Sequence, residues 1–429
     1  MRTFARPFLI LCLLGSAQTA TGWDPEALFD EAAELVESQF YDPAMNGLDW
    51  QAVTAEHRAR IRPDMSREEF AAGVNDMLDR LGASHTALFT RDSPDWYQLA
   101  GIFVDGYAPL RDSLDKHLAN GAPVYSGIGF MLEAGQDGHF VTGVLDGFPA
   151  DTAGVRVGDR LVSVEDAPFH PIRSFSGRDG LVTRLTVERR SGELMDLTVI
   201  PALLDGRMMF QDAMRSSARI LQHDDLEIGY IRAWSYAGQV YQDILVEELS
   251  NGVLKDAVAL VLDLRGGWGG ASPQYLNFFV EGGIEAHSIG RGGETHRFIS
   301  GWSRPVVLLV DGKSRSGKEL FTYGFKKLGK GLVVGETTAG AVLAGKINAL
   351  SDGSLLFVAV TDVIVDGERL EGVGVPPDIA VPFDPVYAAG ADPQLERALS
   401  SAAEQVQGLT NPSSATSAGN CWRGSMPRP

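Results

Sequence analysis

The chain has 429 residues, 44% hydrophobic and 22% charged, ordinary globular proportions that exclude a disordered polymer and leave room for two or three hydrophobic cores. With 56 acidic against 37 basic side chains the formal charge is -19, so most of the surface repels polyphosphate and nucleic acid is not an expected partner.

Arg2 and Arg6 are followed by the apolar run Phe8 to Leu14 and by Gly15, Ser16 and Ala17. That run is too short to span a bilayer, and its order of charged, apolar and small residues is that of a secretory signal. Residues 1–22 are therefore read as a signal peptide cleaved between Ala17 and Gly22, and no membrane span is expected in the mature chain. Cys12 lies inside the apolar run after Leu11, where a lipoprotein signal needs a small residue, which argues against lipidation. Cys421 then remains as the single cysteine, which excludes an intrachain disulfide and a cysteine-based zinc site. The eight histidines show no His-Glu-x-x-His spacing, and neither a metal nor another cofactor is expected.

Residues 23–100 read as an N-terminal helical domain, with amphipathic segments near 25–39, 49–61 and 66–81. Pro25 suits a first helical turn, and Ser66 with Glu69 makes a capping box ahead of Phe70, Val74, Met77 and Leu78. The stretch 82–126 reads as irregular, with 101–126 a connector, and it holds Ser84-His85-Thr86. From 127 to 203 short β-like runs (Phe140 to Val144, Arg160 to Val164, Val182 to Val187, Leu197 to Ile200) alternate with turn residues, a small β-rich module. Residues 204–390 form the expected core domain. There the apolar strands Ala257 to Leu262, Val306 to Val310 and Leu332 to Val334 alternate with helical segments near 272–280 and 317–328, and further strands surround Asp366-Gly367. Such alternation predicts an α/β layer with a largely buried sheet. The stretch 391–429 is read as the end of a helix and a disordered tail rich in Ser, Asn, Gly and Pro.

Three motifs carry chemistry. Gly127-Ile128-Gly129-Phe130, followed by Gly147-Phe148-Pro149-Ala150 and Ala153-Gly154-Val155-Arg156-Val157-Gly158-Asp159, frees a row of N–H groups for a terminal carboxylate beside a strand edge that can take up a peptide. This run closely resembles a PDZ domain. Strand residues Asp263-Leu264-Arg265 lead into Gly266-Gly267-Trp268-Gly269-Gly270, a loop whose N–H groups suit an oxyanion or simply a tight turn; a phosphate loop would need a following Lys-Ser or Lys-Thr, which is absent. After Val306 to Val310 comes Asp311-Gly312-Lys313-Ser314-Arg315-Ser316-Gly317-Lys318-Glu319. Ser316 there is both a helix cap, with Glu319 completing a box, and a hydroxyl beside free helix N–H groups.

The order of helical cap, PDZ, Asp-x-Arg-Gly-rich loop, Ser-x-Ser-Gly-x-Glu and Val-Val-Gly-Glu-Thr resembles the C-terminal-processing (tail-specific) serine peptidases and the related tricorn-core peptidases, from about Asp24 to Pro382. The resemblance implies an α/β catalytic core of ClpP/crotonase-like type, with a β-sheet and flanking helices, an N-terminal helical cap and an inserted PDZ domain. Many processing peptidases use a Ser-Lys dyad whose lysine lies five residues after the Gly-Glu motif; Glu336 is followed there by Ala341, and Lys346 is the nearest candidate. The tricorn-like branch uses a serine-histidine pair and a late glutamate, which Ser84-His85 and Glu371 match.

The resemblance thus implies Ser316 as nucleophile, His85 as general base and acid, and Ser84 and Glu371 as an orienting relay. Gly317 N–H and a donor from Gly269 are the implied oxyanion hole. The expected activity is peptide-bond hydrolysis of protein or peptide substrates through an acyl-enzyme, with the PDZ binding C-terminal segments. The expected setting is exported, in the periplasm of a Gram-negative bacterium, and a homo-oligomer is compatible with the sequence. Two alternatives stand beside this: a catalytically silent peptide-binding scaffold of the same fold, and a Ser316/Lys346 dyad.

Overall fold

The computed structural model describes residues 23–118, 120–135, 137–279 and 283–410. The expected signal peptide, Cys421 and the expected tail beyond residue 410 lie outside the described residues.

Three helices open the described chain: Pro25–Gln39, Trp50–Arg58 and Arg67–Asp79. Asp24 caps the first, accepting from the N–H groups of Glu26 and Ala27 at 3.2 and 3.1 Å, with Pro25 in the first turn. Ser66 and Glu69 form both arms of the expected capping box, at 3.1 and 2.8 Å. The buried faces of these helices (Phe29, Val36, Phe70, Val74, Met77) pack on Leu343, Leu356 and Val358, residues nearly three hundred positions later. The helices therefore close a core shared with a three-stranded antiparallel sheet in the order Ala87–Phe89, Leu355–Thr361, Ala344–Ala349. That sheet carries the segment around His85 to the far end of the chain.

The stretch 82–126 is more regular than its composition suggests. Besides the strand Ala87–Phe89 it holds the helices Pro94–Phe103 and Ala108–Leu114. Ser93 caps the first of these, accepting the Asp95 N–H at 3.2 Å, and Trp96, Leu99, Ala100 and Val104 form its buried face. A Ser-Pro start followed by helical spacing is the local signal for this helix.

The β-rich module is an antiparallel sheet in the order Phe130–Gly135, Gly138–Val144, Arg160–Val164, Thr183–Arg190, Glu193–Val199. Its own core contains Ile128, Phe130, Val141, Leu161 and Val187. Phe130–Gly135 lies at the sheet edge with one side unpaired among the described residues.

The sheet of the core domain has the order Arg219–His223, Leu226–Arg232, Ala259–Asp263, Val306–Val310, Leu332–Gly335, Ile379–Ala380. Only its first pair is antiparallel. Strands 259–263 and 306–310 are apolar on both faces except at Asp263, as a sheet covered on both sides requires. One cover includes Gln239–Ser250 and Gly317–Lys327, whose Ile244, Leu245, Phe321 and Phe325 meet Leu260 and Leu308. The other is the C-terminal helix Pro393–Thr410, whose Ala398 and Ala402 lie against Val261 and Leu309. The parallel order places Asp263 and Val310 at the same edge of the sheet, so the loops after both strands meet there.

Candidate active site

Strand Val306–Val310 enters the loop Asp311 to Arg315, and Ser316 sits at the head of helix Gly317–Lys327 with φ 58° and ψ -129°. This is a sparsely populated conformation for a residue with a side chain, costing about 1–3 kcal/mol, and strain of this kind collects at functional sites. What holds Ser316 there is a pair of hydrogen bonds from its own N–H. Its N–H donates to the Ala341 carbonyl at 2.8 Å and to Glu319 Oε2 at 3.2 Å, the expected reciprocal arm of a capping box. Glu319, fully buried, also accepts from the N–H groups of Gly340 and Ala341, each at 2.7 Å, and from Thr338 Oγ1 at 2.6 Å. Position 341, where a dyad lysine is missing, is thus in direct contact with the serine through its backbone.

The next two residues of that loop lead to the second part of the site. Val342 and Leu343 N–H groups donate to Glu371 Oε2 at 2.8 and 3.1 Å. Ser84 donates to the same carboxylate, its N–H to Oε1 at 2.9 Å and its Oγ to Oε2 at 3.0 Å. Ser84 Oγ is also 3.0 Å from His85 Nδ1. Because the single Ser84 hydroxyl proton points at the carboxylate, Nδ1 is the donor to Ser84 Oγ, and the lone pair of the neutral imidazole lies on Nε2. His85, like Ser316, has positive φ, at 55°, and its ring packs edge-on against Phe357 at 5.3 Å between centroids. Burial and the Arg315 charge push the imidazole down to about 4, against the opposing pull of Glu371. The ring is therefore neutral and available as a base at neutral pH. His85 and Ser316 make no direct hydrogen bond in this structure; the relay brings them to one loop cluster without closing that contact.

The glycine loop forms the opposite wall. A Cβ on Gly269 would lie 2.5 Å from Ser316 Cβ and 2.7 Å from the Arg315 carbonyl, and one on Gly317 would lie 2.6 Å from the Ala271 carbonyl. Only glycine allows this approach. Neither the Gly317 N–H nor the Gly269 N–H has an acceptor among the described residues. The loop is anchored at its root by Asp263, Tyr230 and Arg265. Tyr230 Oη donates to Asp263 Oδ2 at 2.8 Å, and Arg265 grips Asp263 at 2.7–3.2 Å and Asp392 at 2.7 and 2.8 Å. Burial opposes the Asp263 charge, yet Arg265 and Arg232 overcome it and hold the carboxyl well below the usual range. The Asp-x-Arg of the sequence is therefore a structural brace under the glycine loop.

Lys346, the alternative base, pairs with Val358 in the three-stranded sheet, while His85 packs on Phe357. Alternation along a strand assigns Lys346 to the face opposite His85. In the β-rich module, Gly127 ends strand Val124–Gly127, Ile128 is buried, Gly129 has φ 81°, and Phe130 begins the edge strand. A cavity of about 830 Å³ runs from that strand, at Met131 and Leu132, to Arg232, Trp268 and Arg315. Two residues in this region carried no signal in the sequence. Arg315 Nε is buried without a hydrogen-bond partner among the described residues, and Lys318 is fully buried. Both read as surface cations until the fold is known.

Residues 227–381 match peptidase family S41, residues 24–79 the tricorn protease C1 domain, and residues 122–176 the PDZ domain. The chain is 26% identical over 427 residues to putative tricorn protease homolog 2 of Streptomyces coelicolor, covering 93% of this chain and 34% of that protein. It is 26% identical over 374 residues to carboxyl-terminal-processing peptidase 3, chloroplastic, of Arabidopsis thaliana, covering 81% of this chain and 67% of that protein. It spans only about a third of the length of the tricorn-type relative. The crystal structure of the tricorn protease aligns at TM-score 0.50 and 17% identity over 89% of this chain and 37% of that one, a likeness of fold. Matches to a tricorn C1 domain, a PDZ domain and an S41 peptidase domain thus follow one another along the chain, which is similar to tricorn and carboxyl-terminal-processing peptidases.

Proposed function

We propose that this chain is an exported serine endopeptidase that hydrolyses peptide bonds of protein substrates through an acyl-enzyme on Ser316. The observation that carries the reading is the unbroken relay from Glu371 through Ser84 Oγ to His85 Nδ1, joined to the Ser316 loop at residues 341–343. In the first step the Ser316 hydroxyl oxygen attacks the scissile carbonyl carbon and its proton passes to His85 Nε2. The resulting oxyanion accepts from Gly317 and Gly269 N–H, and Glu371, acting through Ser84, offsets the imidazolium charge. The imidazolium then gives its proton to the leaving amine nitrogen as the C–N bond breaks. A water attacks the acyl-enzyme by the reverse proton route and frees Ser316. The Gly127 to Phe130 segment and its edge strand take the C-terminal segment of the substrate as an added strand.

The domain limits proposed with this reading are a helical domain at 23–100, a connector at 101–126, the PDZ at 127–203 and the peptidase core at 204–390. The test is turnover of an unstructured protein substrate by wild type and Ser316→Ala. The variant should be inactive while melting at the wild-type temperature, and retained hydrolysis would remove Ser316 from its role. The open contact between His85 and Ser316 favours one second reading, a silent peptide-binding scaffold, which predicts that wild type binds C-terminal peptides and never turns over.

A further inference from the structure

Lys318, two residues beyond the proposed nucleophile, is fully buried at the start of helix Gly317–Lys327. Its Nζ donates to the Gly266 carbonyl at 2.9 Å and the Trp234 carbonyl at 3.2 Å, and it forms no ion pair among the described residues. A buried ammonium held only by carbonyl dipoles is costly, and an apolar side chain would fill the same space more cheaply. Its two acceptors explain the choice of lysine. Gly266 begins the glycine loop, and its N–H is already tied to Asp311 Oδ1 at 3.0 Å. Trp234 O also accepts the Trp268 N–H at 2.7 Å, and Tyr236 N–H donates to the Gly269 carbonyl at 3.0 Å. The ammonium thus pins the root of the loop, at Gly266, to the Trp234 segment that the loop leans on.

We propose that Lys318, in its charged form, is a positioning residue that holds the Gly266 to Gly270 loop so that Gly269 presents its N–H at Ser316, and that loss of its proton loosens the loop. This rests on the function proposed above for that loop. Burial pushes the ammonium down to about 7; Asp311 and Asp263 pull it up, and Arg232 and Arg315 push it further down. Pro273–Phe279 and Leu332–Gly335, also packed on the helix, bring no carboxylate or cation, while Asp378 and Asp366 meet its far end at Lys326 and Lys327. The native value lies below the ordinary 10.5, so between about 7 and 10.5 the unfolded chain carries a proton that the native chain has released. Through this group, stability rises with pH over that window while the loop loses its donor. Stability and activity should therefore move in opposite directions.

The experiment follows hydrogen exchange of a peptic fragment spanning the glycine loop, corrected for the intrinsic pH dependence of exchange. Melting temperature and the rate of Ser316 labelling by a fluorophosphonate are measured alongside, in wild type, Lys318→Met and Lys318→Arg. In wild type, loop protection and labelling should fall with a midpoint near pH 7 while the melting temperature rises. Lys318→Met should show no such midpoint, with labelling slowed on the order of tenfold at every pH. Should the Met variant not fold, Lys318→Arg, permanently charged, should abolish the alkaline fall. Loop protection in wild type that is flat across neutral pH, or an alkaline fall that survives both substitutions, overturns the proposal. If the loop titrates as expected but Ser316 never labels, the peptidase reading fails and the clamp stands.

Discussion

Glu371→Gln tests the relay with the smallest change of shape. In the native site Oε2 takes three donors, Ser84 Oγ and the Val342 and Leu343 N–H groups, and Oε1 takes the Ser84 N–H. A glutamine has one carbonyl oxygen. If it faces the three donors, its NH₂ meets the Ser84 N–H, donor against donor; if it turns round, three donors lose their acceptor. The first arrangement is the cheaper, and leaving one buried N–H unpaired costs about 1–3 kcal/mol. Stability should therefore fall by about 2 kcal/mol, read from denaturant unfolding. Catalysis should suffer more, because the imidazolium formed during attack loses the charge that offsets it. General acid–base assistance contributes on the order of 10²–10⁴, and a labelling rate reduced about a hundredfold is expected. The assay is the second-order rate of fluorophosphonate reaction at Ser316, followed by intact mass. A variant that loses stability but labels at the wild-type rate would show Glu371 to be a loop anchor and nothing more.

The pH dependence follows from His85, which works as a base only when neutral; with the imidazole near 4, labelling should hold down to about pH 5 and fall tenfold per unit below 4. Because its native value lies below the ordinary 6.5, stability from this group is present above 6.5 and is lost as pH falls toward 4, a slope that His85→Ala should flatten in acid unfolding curves. Arg315→Met removes one cause of the low value and should shift the acid limb to higher pH; an unmoved limb would mean that burial alone sets it. Gly269→Ala puts a methyl 2.5 Å from Ser316 Cβ and should cut kcat by about 10²–10³ with little change in KM, as expected for a displaced oxyanion donor. Lys346→Ala should leave both constants unchanged, and a dead Lys346→Ala enzyme would restore the dyad as the mechanism.

Helix ends and buried strands were legible in the sequence because their causes are local. Asp24-Pro25, Ser66 with Glu69, and the apolar runs at 259–263 and 306–310 each specify their element within a few residues. The helix Pro94–Phe103 was missed and its stretch read as irregular: Ser93-Pro94 marks its start, but a mostly apolar segment around Trp96, Leu99 and Ala100 shows no contrast between a buried and a solvated face. Ser84, His85, Ser316 and Glu371 could be proposed only through a family resemblance, since no spacing law links residues 287 positions apart in sequence. What joins them is the pairing of strand Ala87–Phe89 with Leu355–Thr361. Lys318 and Arg315 were illegible for a different reason. A lysine in a first helical turn is ordinarily solvated, and its burial under Gly266 depends on how three loops converge at one sheet edge.

The most direct test of the proposed Ser316–His85 chemistry is peptide-mapped fluorophosphonate labelling of the purified protein in wild type, His85→Ala and Ser316→Ala. One adduct is expected, on Ser316 in wild type, strongly slowed without His85 and absent without Ser316. A wild-type protein that folds, binds C-terminal peptides and never labels, or one that labels equally well without His85, would contradict it.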